Sequence, residues 1–355
     1  MAKVVAAMSG GVDSAVAAAL CAQAGHEVLG VTLKLFEPGG RAKDCCGASR
    51  DANDARRAAE RIGIRHRVLD MSEVFSRSVV EPFVEAYLSL RTPNPCVECN
   101  RSVKFGALLE LARSWKADFV ATGHYARILR KEDGSLGLFR GGDAGKDQSY
   151  FLYSLTQAEL SRTLFPLGGL TKTEVRAQAR ALGLGVAEKP ESMEVCFVPK
   201  DDYRAFLRSR AGKAARRALE PGDIRDLSGR RLGAHQGLAG YTPGQRRGLG
   251  ISSSRPLYVS RLDGESNTLI VGTGEQSRRS AFRVGRVSWT GAPPPARTQV
   301  RIRHRGRLLA ASWRSEDDRI LVELLQGVRG VAPGQAAVFC SCDEVLGGGT
   351  IEEVL

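Results

Sequence analysis

Met8-Ser9-Gly10-Gly11-Val12-Asp13-Ser14 stands between an apolar run, Val4 to Ala7, and an alanine-rich stretch, Ala15 to Ala24, that stops at Gly25. The run reads as a buried parallel strand, and the stretch after the loop reads as a helix with Gly25 at its C′ position. Gly10 and Gly11 let backbone amides approach a ligand with no Cβ in the way, Ser9 and Ser14 add hydroxyl donors, and the helix N-terminus adds a fixed positive dipole. An anion, pyrophosphate by size and charge, is the expected occupant. The alternative reading is an ordinary glycine-rich turn, although the first strand-to-helix turn of an α/β sheet is where nucleotide sites sit.

No Lys-Ser or Lys-Thr pair follows a glycine at the spacing used to hold a γ-phosphate, and Asp13 occupies the loop instead. In this the segment resembles the pyrophosphatase loop of the N-type ATP pyrophosphatases. That resemblance implies that ATP is cut between its α and β phosphates while a substrate is adenylated. It places Ala7, Met8, Ser9, Gly10, Gly11, Val12, Asp13 and Ser14 on the nucleotide, with Mg²⁺ accompanying ATP and Asp13 as a contributor to the metal.

At 355 residues the chain is long enough for two or three domains, and its 43% hydrophobic and 26% charged content is that of a globular protein. No apolar run approaches the roughly 20 residues that span a bilayer, and the N-terminus lacks a secretory pattern, so a cytoplasmic protein with no membrane partner is expected. Eight cysteines in such a chain point to reactive or metal-binding thiols rather than a disulfide framework. The net charge is +13, and residues 201–355 carry 25 Lys plus Arg against 16 Asp plus Glu. Almost all of those basic residues are Arg, the side chain best suited to forked phosphate contacts, so the C-terminal half is the expected polyanion surface. A solvated basic face with no partner is the alternative.

Strand and helix signals alternate through residue 185 in the doubly wound manner. Val28 to Leu35, His66 to Asp70 and Asp118 to Thr122 read as strands; Ser49 to Ile62, Ser72 to Leu90, Val103 to Trp115 and Thr171 to Leu182 read as helices. Ile128 to Phe139, turned at Asp133-Gly134, reads as a hairpin added to the parallel sheet. The expected fold class is α/β, a doubly wound parallel sheet over residues 1–200, followed by a small β-rich middle domain over 201–280 and a C-terminal β-barrel over 281–355. Pro293-Pro294-Pro295 reads as a stiff linker, with barrel or sandwich strands beyond it at Gln299 to Arg305, Leu308 to Trp313, Ile320 to Leu325 and Ala336 to Phe339.

Asn94-Pro95-Cys96-Val97-Glu98-Cys99-Asn100 and Glu194-Val195-Cys196-Phe197 carry the thiols most suited to chemistry. Gly123-His124-Tyr125, Gly145-Lys146-Asp147-Gln148-Ser149-Tyr150, His235-Gln236-Gly237-Leu238, Gly244-Gln245-Arg246-Arg247-Gly248 and Leu346-Gly347-Gly348-Gly349 complete an ordered set spanning the chain. In that order the motifs resemble the bacterial tRNA-specific 2-thiouridylases. The resemblance implies that ATP adenylates the C2 oxygen of the wobble uridine and that sulfur then displaces AMP. Cys196 matches the residue that carries an incoming persulfide from a sulfur-donor protein, and Cys99 the partner that closes a disulfide with it. Both thiols are expected to have lowered pKa values in basic surroundings. Asp13, Cys99 and Cys196 are thus the expected catalytic residues, with Leu33 and Gly123 as further nucleotide contacts. Asn94, Pro95 and Cys96 match the segment that meets a flipped-out target base, and Lys146, Asp147, Gln148, Arg303 and His304 match tRNA contacts. The protein is expected to act as a monomer on the anticodon stem loop.

Two departures from the family pattern stand out. Cys96 takes a position where many members have Asp, so Cys96, Cys99 and Cys196 could supply three thiolates to a [4Fe-4S] cluster that binds sulfide at an open iron; both sulfur routes stay open. His304 follows Arg303 where the family usually has Tyr, which changes the expected stacking contact. Zinc binding by the Cys96/Cys99 pair would need a second pair that does not appear nearby. Cys45-Cys46 reads as an incidental pair, Cys340 and Cys342 as packing residues on one face of a strand, Cys21 as buried, and His124 as either an acid-base group or a structural hydrogen-bonder. The competing classes are a 4-thiouridine synthase or amidating synthetase of the same ATP-cleaving type, and a non-catalytic RNA-binding protein that holds ATP structurally.

Overall fold

Val4, Val5 and Ala6 are each only 1% exposed, so the first strand lies between helical layers on both faces. The computed structural model describes residues 1–36, 47–190, 195–199, 202–212 and 217–355; Cys45 and Cys46 lie outside them. Strands β1 (Lys3–Ala7), β2 (Glu27–Lys34), β3 (Arg65–Asp70) and β4 (Phe119–Ala121) are parallel. After a hairpin of β5 (Ala126–Arg130) and β6 (Leu136–Arg140), the short β7 (Thr163–Leu164) completes a sheet of order β3-β2-β1-β4-β7. The order reverses direction at β1, the place where a crevice opens at the carboxyl ends of the strands.

Helix α1 (Val12–Gln23) leaves β1 with Gly11 as its N-cap and ends at Ala24, with Gly25 in the left-handed region at φ +80°. Its alanines pack flat under the sheet, joined by α2 (Gly47–Ile62) and the helix Lys172–Ala181. That last helix is closed at its start by a reciprocal capping box between Thr171 and Glu174. The stretch after β3 is less regular than the periodicity predicts: π-helical turns occupy Ser76–Val80 and Cys99–Ala107 within otherwise α-helical runs.

A second sheet follows, of β8 (Gly222–Asp226), β9 (Arg231–His235), β10 (Tyr258–Asp263) and β11 (Thr268–Gly272), in the order β10-β11-β8-β9. Strands β8 and β9 carry few apolar residues, which hides them from hydrophobic patterning; Ile224 alone anchors β8 in the core. The C-terminal unit contains β12 (Arg278–Trp289), β13 (Arg297–Arg301), β14 (Leu309–Glu316), β15 (Arg319–Arg329), β16 (Ala336–Ser341) and β17 (Glu344–Val354). They run β12-β15-β14-β13-β16-β17, and β17 pairs back with β12 to close a six-stranded ring around Phe282, Val322 and Phe339.

Three expectations change here. The Asp133-Gly134 hairpin forms as predicted, but β6 pairs with β17, so the hairpin extends the barrel sheet rather than the parallel one. Pro293–Pro295 falls between two barrel strands, because β12 already belongs to the ring; it is an internal loop of the barrel and no linker before it. Cys340 is buried in β16, whereas Cys342 is exposed in the following turn with φ +51°, so the two do not share a face. Cys21 is buried in α1 as expected, and burial raises its thiol to about 11. Among the described residues no helix is long and apolar enough to cross a membrane.

The barrel meets the parallel-sheet layer at Asp147. Its carboxylate accepts from Arg140 Nε at 3.1 Å, Arg301 Nη1 at 3.4 Å and the Gly141 and Ser149 amides at 3.2 and 3.1 Å. Desolvation opposes ionisation of Asp147, but the Ser149, Gly141 and Arg140 hydrogen bonds outweigh it and hold the carboxyl below its usual range. Asp147→Ala would leave Arg301 buried without its counter-ion, so a loss of about 3–5 kcal/mol is expected, read as a lower urea midpoint for the transition that includes the barrel. Because the folded pKa is depressed, the carboxylate's contribution is complete above roughly pH 4 and is lost as pH falls through the folded value; the wild-type and variant midpoints should converge there.

Candidate functional site: a nucleotide loop and a cysteine cleft

The Met8–Ser14 loop lies at the carboxyl end of β1, directly beside the turn that follows β4. Gly10 has φ +75°, and a Cβ there would stand 2.2 Å from the Asp51 carbonyl oxygen. A Cβ on Gly123 would stand 2.8 Å from the Asp13 carbonyl carbon and the Ser14 amide nitrogen, so both glycines are required by backbone-to-backbone approach. Ser14 Oγ accepts from the Ser9 amide at 3.0 Å and donates to the Gly11 carbonyl at 3.0 Å, which closes the loop on itself. No side chain caps the N-terminus of α1, so the dipole end stays available to an anion. Ala7 and Leu33 lie half-buried at the ends of β1 and β2 on the same edge of the sheet.

Two lysines that sequence reading missed hold this loop. Lys172 Nζ donates to both carboxylate oxygens of Asp13 at 2.8 Å, and the Tyr125 hydroxyl donates to Asp13 Oδ1 at 2.7 Å. Lys189 Nζ reaches the Gly10 carbonyl at 2.9 Å together with Asp51 at 2.7 Å and Asp54 at 2.6 Å. Lys172 is the first residue of a helix with a legible capping box, which was its one available signal. Lys189 sits far along the chain in Glu188-Lys189-Pro190 with no periodicity to mark it.

Asn94 and Pro95 begin the short helix Pro95–Glu98 as N-cap and N1, with Asn94 Oδ1 accepting from the Val97 amide at 3.4 Å. That turn presents Cys96 with an exposed edge and sends Cys99 into the core. Cys196 is exposed as a residue, and its thiol is raised by desolvation and then by Cys99 and Cys96, with Lys104 pulling the other way, so the three thiols share one electrostatic neighbourhood with one cation. Lys104 follows Cys99 by five residues in a π-helix, whose i→i+5 period puts both on one face.

The expected lowering of the thiol pKa values is not what the structure shows. Desolvation raises Cys96, Cys99 and Cys196, the last to about 11, and the opposing pull of Lys104 does not offset it. Cys99 is packed into the buried cluster of Phe75, Phe83 and Phe197, so burial outweighs the basic charge there. Among the described residues no three His, Cys, Asp or Glu side chains are gathered so as to hold a metal ion, so the three cysteines as placed do not fit a cluster.

Of the expected tRNA contacts, Asp147 is buried in the ion pairs described above, which removes its side chain from any direct contact in this arrangement. Lys146 and Gln148 flank it, half-buried. His304 Nε2 bonds the Asp147 carbonyl at 2.8 Å, and its ring packs 4.4 Å from Phe151. Arg303 instead lines a cavity of about 660 Å³ between the loop at Thr92, the middle sheet at Tyr258 and the barrel at Arg278, Arg307 and Arg329, with no acidic residue in its wall. His124 is a structural group. Its ring bonds Thr122 Oγ1 at 2.8 Å between Phe105 and Phe165, and desolvation holds its pKa well below the usual imidazole value.

Fold and site together define an ATP-pyrophosphatase-like HUP domain joined to two β modules. Three family models match: "tRNA methyl transferase HUP domain" over residues 2–200, "tRNA methyl transferase PRC-barrel domain" over 213–273 and "Aminomethyltransferase beta-barrel domain" over 279–351. The tRNA-specific 2-thiouridylase MnmA of Chloroflexus aurantiacus is 49% identical, covering 99% of this chain and 98% of its own. Those of Moorella thermoacetica and Carboxydothermus hydrogenoformans are 47% and 45% identical, covering 98% and 99% of this chain and 99% and 98% of their own. The chain belongs to the tRNA-specific 2-thiouridylase family.

The thiol environment makes a direct prediction. Alkylation of Cys196 by iodoacetamide, followed by peptide mass spectrometry, should accelerate roughly tenfold per pH unit to about pH 10, because only the thiolate reacts. Lys104→Met should slow it at every pH in that range. A plateau below pH 9 would contradict the raised pKa.

Proposed function

We propose that this protein is an ATP-dependent tRNA sulfurtransferase that converts the wobble uridine of cytoplasmic tRNA to 2-thiouridine, working as a monomer. The observation that carries the reading is the pairing, in one domain, of a strand-to-helix loop with an uncapped helix N-terminus and no γ-phosphate lysine with the three free thiols of Cys96, Cys99 and Cys196. The curated relatives are named as 2-thiouridylases while the family models carry the word methyl transferase, and the cysteines favour the former chemistry. Methyl transfer would give no reason for Cys99 and Cys196 to share one neighbourhood.

In this reading the loop amides and the α1 dipole hold the β and γ phosphates, and Asp13 would help to hold a Mg²⁺ that would neutralise phosphate charge. The uridine O2 attacks the α-phosphorus, the α–β bridge breaks, and pyrophosphate leaves. C2 now carries AMP, a good leaving group. A Cys196 persulfide, loaded by a donor protein, attacks C2 through its outer sulfur and AMP departs. Cys99 then attacks the inner sulfur of Cys196, forming the Cys99–Cys196 disulfide and releasing the sulfur on C2 as the thio group; an external thiol reductant resets the enzyme. The raised pKa values keep both thiols protonated and unreactive until substrate enters the cleft, with Lys104 the cation nearest to favour thiolate. No step is routed through a [4Fe-4S] cluster, for which the three cysteines are not gathered.

The Arg-lined cavity and the positive C-terminal half favour an RNA backbone as partner, with affinity falling steeply as salt rises. Asn94, Pro95 and Cys96 would meet the extruded base at the mouth of the cleft.

The experiment is anaerobic incubation of unmodified tRNA with Mg-ATP, comparing iron-free protein given a persulfide donor with iron-reconstituted protein given sulfide, and reading 2-thiouridine by mass spectrometry. Product from iron-free protein is expected. It should vanish in Cys196→Ser and fall by at least about 10³-fold in Asp13→Ala, with tRNA binding retained in both. Product solely with iron would replace the persulfide step, and product in neither would return the chain to the other ATP pyrophosphatase classes.

A further inference from the structure

The segment Lys146–Gln148 and the nucleotide loop are joined by hydrogen bonds that end on Asp13. On the barrel side, His304 Nε2 holds the Asp147 carbonyl at 2.8 Å and Arg301 holds its carboxylate at 3.4 Å. Next along the chain, Gln148 grips the main chain of Tyr125 at two points: its amide donates to the Tyr125 carbonyl at 3.0 Å, and its Oε1 accepts from the Tyr125 amide at 3.1 Å. Tyr125 is 2% exposed, and its hydroxyl donates to Asp13 Oδ1 at 2.7 Å. Each of these groups is ordered by partners on both sides, so a displacement of the Asp147–Gln148 backbone must be passed to Tyr125 or break a bond.

We infer that Tyr125 and Gln148 are positioning residues that couple occupancy of the Lys146–Gln148 segment by RNA to the orientation of Asp13 in the nucleotide loop. The inference rests on the tRNA reading of that segment given under Proposed function. Asp13 Oδ1 accepts from both Lys172 and Tyr125, and Oδ2 from Lys172 alone, so the Tyr125 hydroxyl fixes the turn of a carboxylate that Lys172 anchors. RNA seated against the barrel fixes the Asp147 main chain, thereby fixes Tyr125, and leaves the loop arranged for nucleotide. Discharge of ATP without RNA in place is suppressed by the same connection.

The test uses the full-length protein, an unmodified tRNA transcript and α,β-methylene-ATP, which binds without being cleaved. The quantity read is the ratio of analogue affinities with and without saturating tRNA. Wild type should show a ratio of about tenfold, and by linkage the analogue should raise tRNA affinity by the same factor. Tyr125→Phe, which removes one oxygen, should bring the ratio close to one. His304→Ala should do likewise, and the double variant should go no further, because both act on one path. A Tyr125→Phe protein that loses affinity equally with and without tRNA, its ratio intact, would show local support of Asp13 and overturn the coupling. So would single-variant losses that multiply in the double variant, or a wild-type ratio of one. Thiouridine formation by the wild-type preparation separates the two readings: product with a wild-type ratio of one sinks the coupling alone, whereas no product from the wild type sinks both.

Discussion

Backbone contact between the turn after β1 and its neighbours is the constraint on which the site depends. Gly10 presses on the carbonyl of Asp51 and Gly123 on the main chain of Asp13, so two loops and the start of α2 are brought to van der Waals limits with no side chain between them. Such closeness aims the free amides of α1 outward and leaves the polar side chains to finish the work. Lys189 bridges Asp51 and Asp54 while holding the Gly10 carbonyl, and Lys172 pairs with Asp13. The lysine that a mononucleotide-type loop would carry within its own sequence is thus replaced by two that arrive from the far end of the domain.

A second constraint governs the thiols. A reactive cysteine near neutral pH usually has a depressed pKa, yet here burial wins over a single half-buried lysine. The consequence is a cleft whose sulfurs rest protonated.

The barrel is more than an appended module. Strand β17 pairs with β16 along one edge, and along the other it closes the ring with β12 and, through Glu344 and Val345, pairs with β6, so a hairpin that leaves the N-terminal domain after β4 is continuous with the C-terminal sheet. Asp147 lies just beyond that hairpin, where Arg140 from one unit and Arg301 from the other converge on its carboxylate. Tyr150 adds a buried hydroxyl bond to the Ala336 carbonyl across the same seam. A surface built in this way cannot shift independently of the layer that carries the Met8–Ser14 loop.

Local sequence determined the first strand, the glycine turn, α1 and its stop at Gly25, because each depends on residues within a few positions of one another. The hairpin turn at Asp133-Gly134 and the Thr171/Glu174 cap were legible for the same reason. The cysteine motifs could be named from the chain, but not their protonation, since desolvation depends on aromatic residues drawn from three separate segments. Nor could sequence distinguish a surface Asp147 from a buried one: a carboxylate between a lysine and a glutamine reads as solvated until two arginines, one of them 154 residues away, close on it. Lys172 and Lys189 were invisible as site residues for that reason too, being ordinary charged positions on a helix start and a loop. What only the tertiary structure decided was which charges lose their water, because burial is a property of the packed layers and not of any window along the chain.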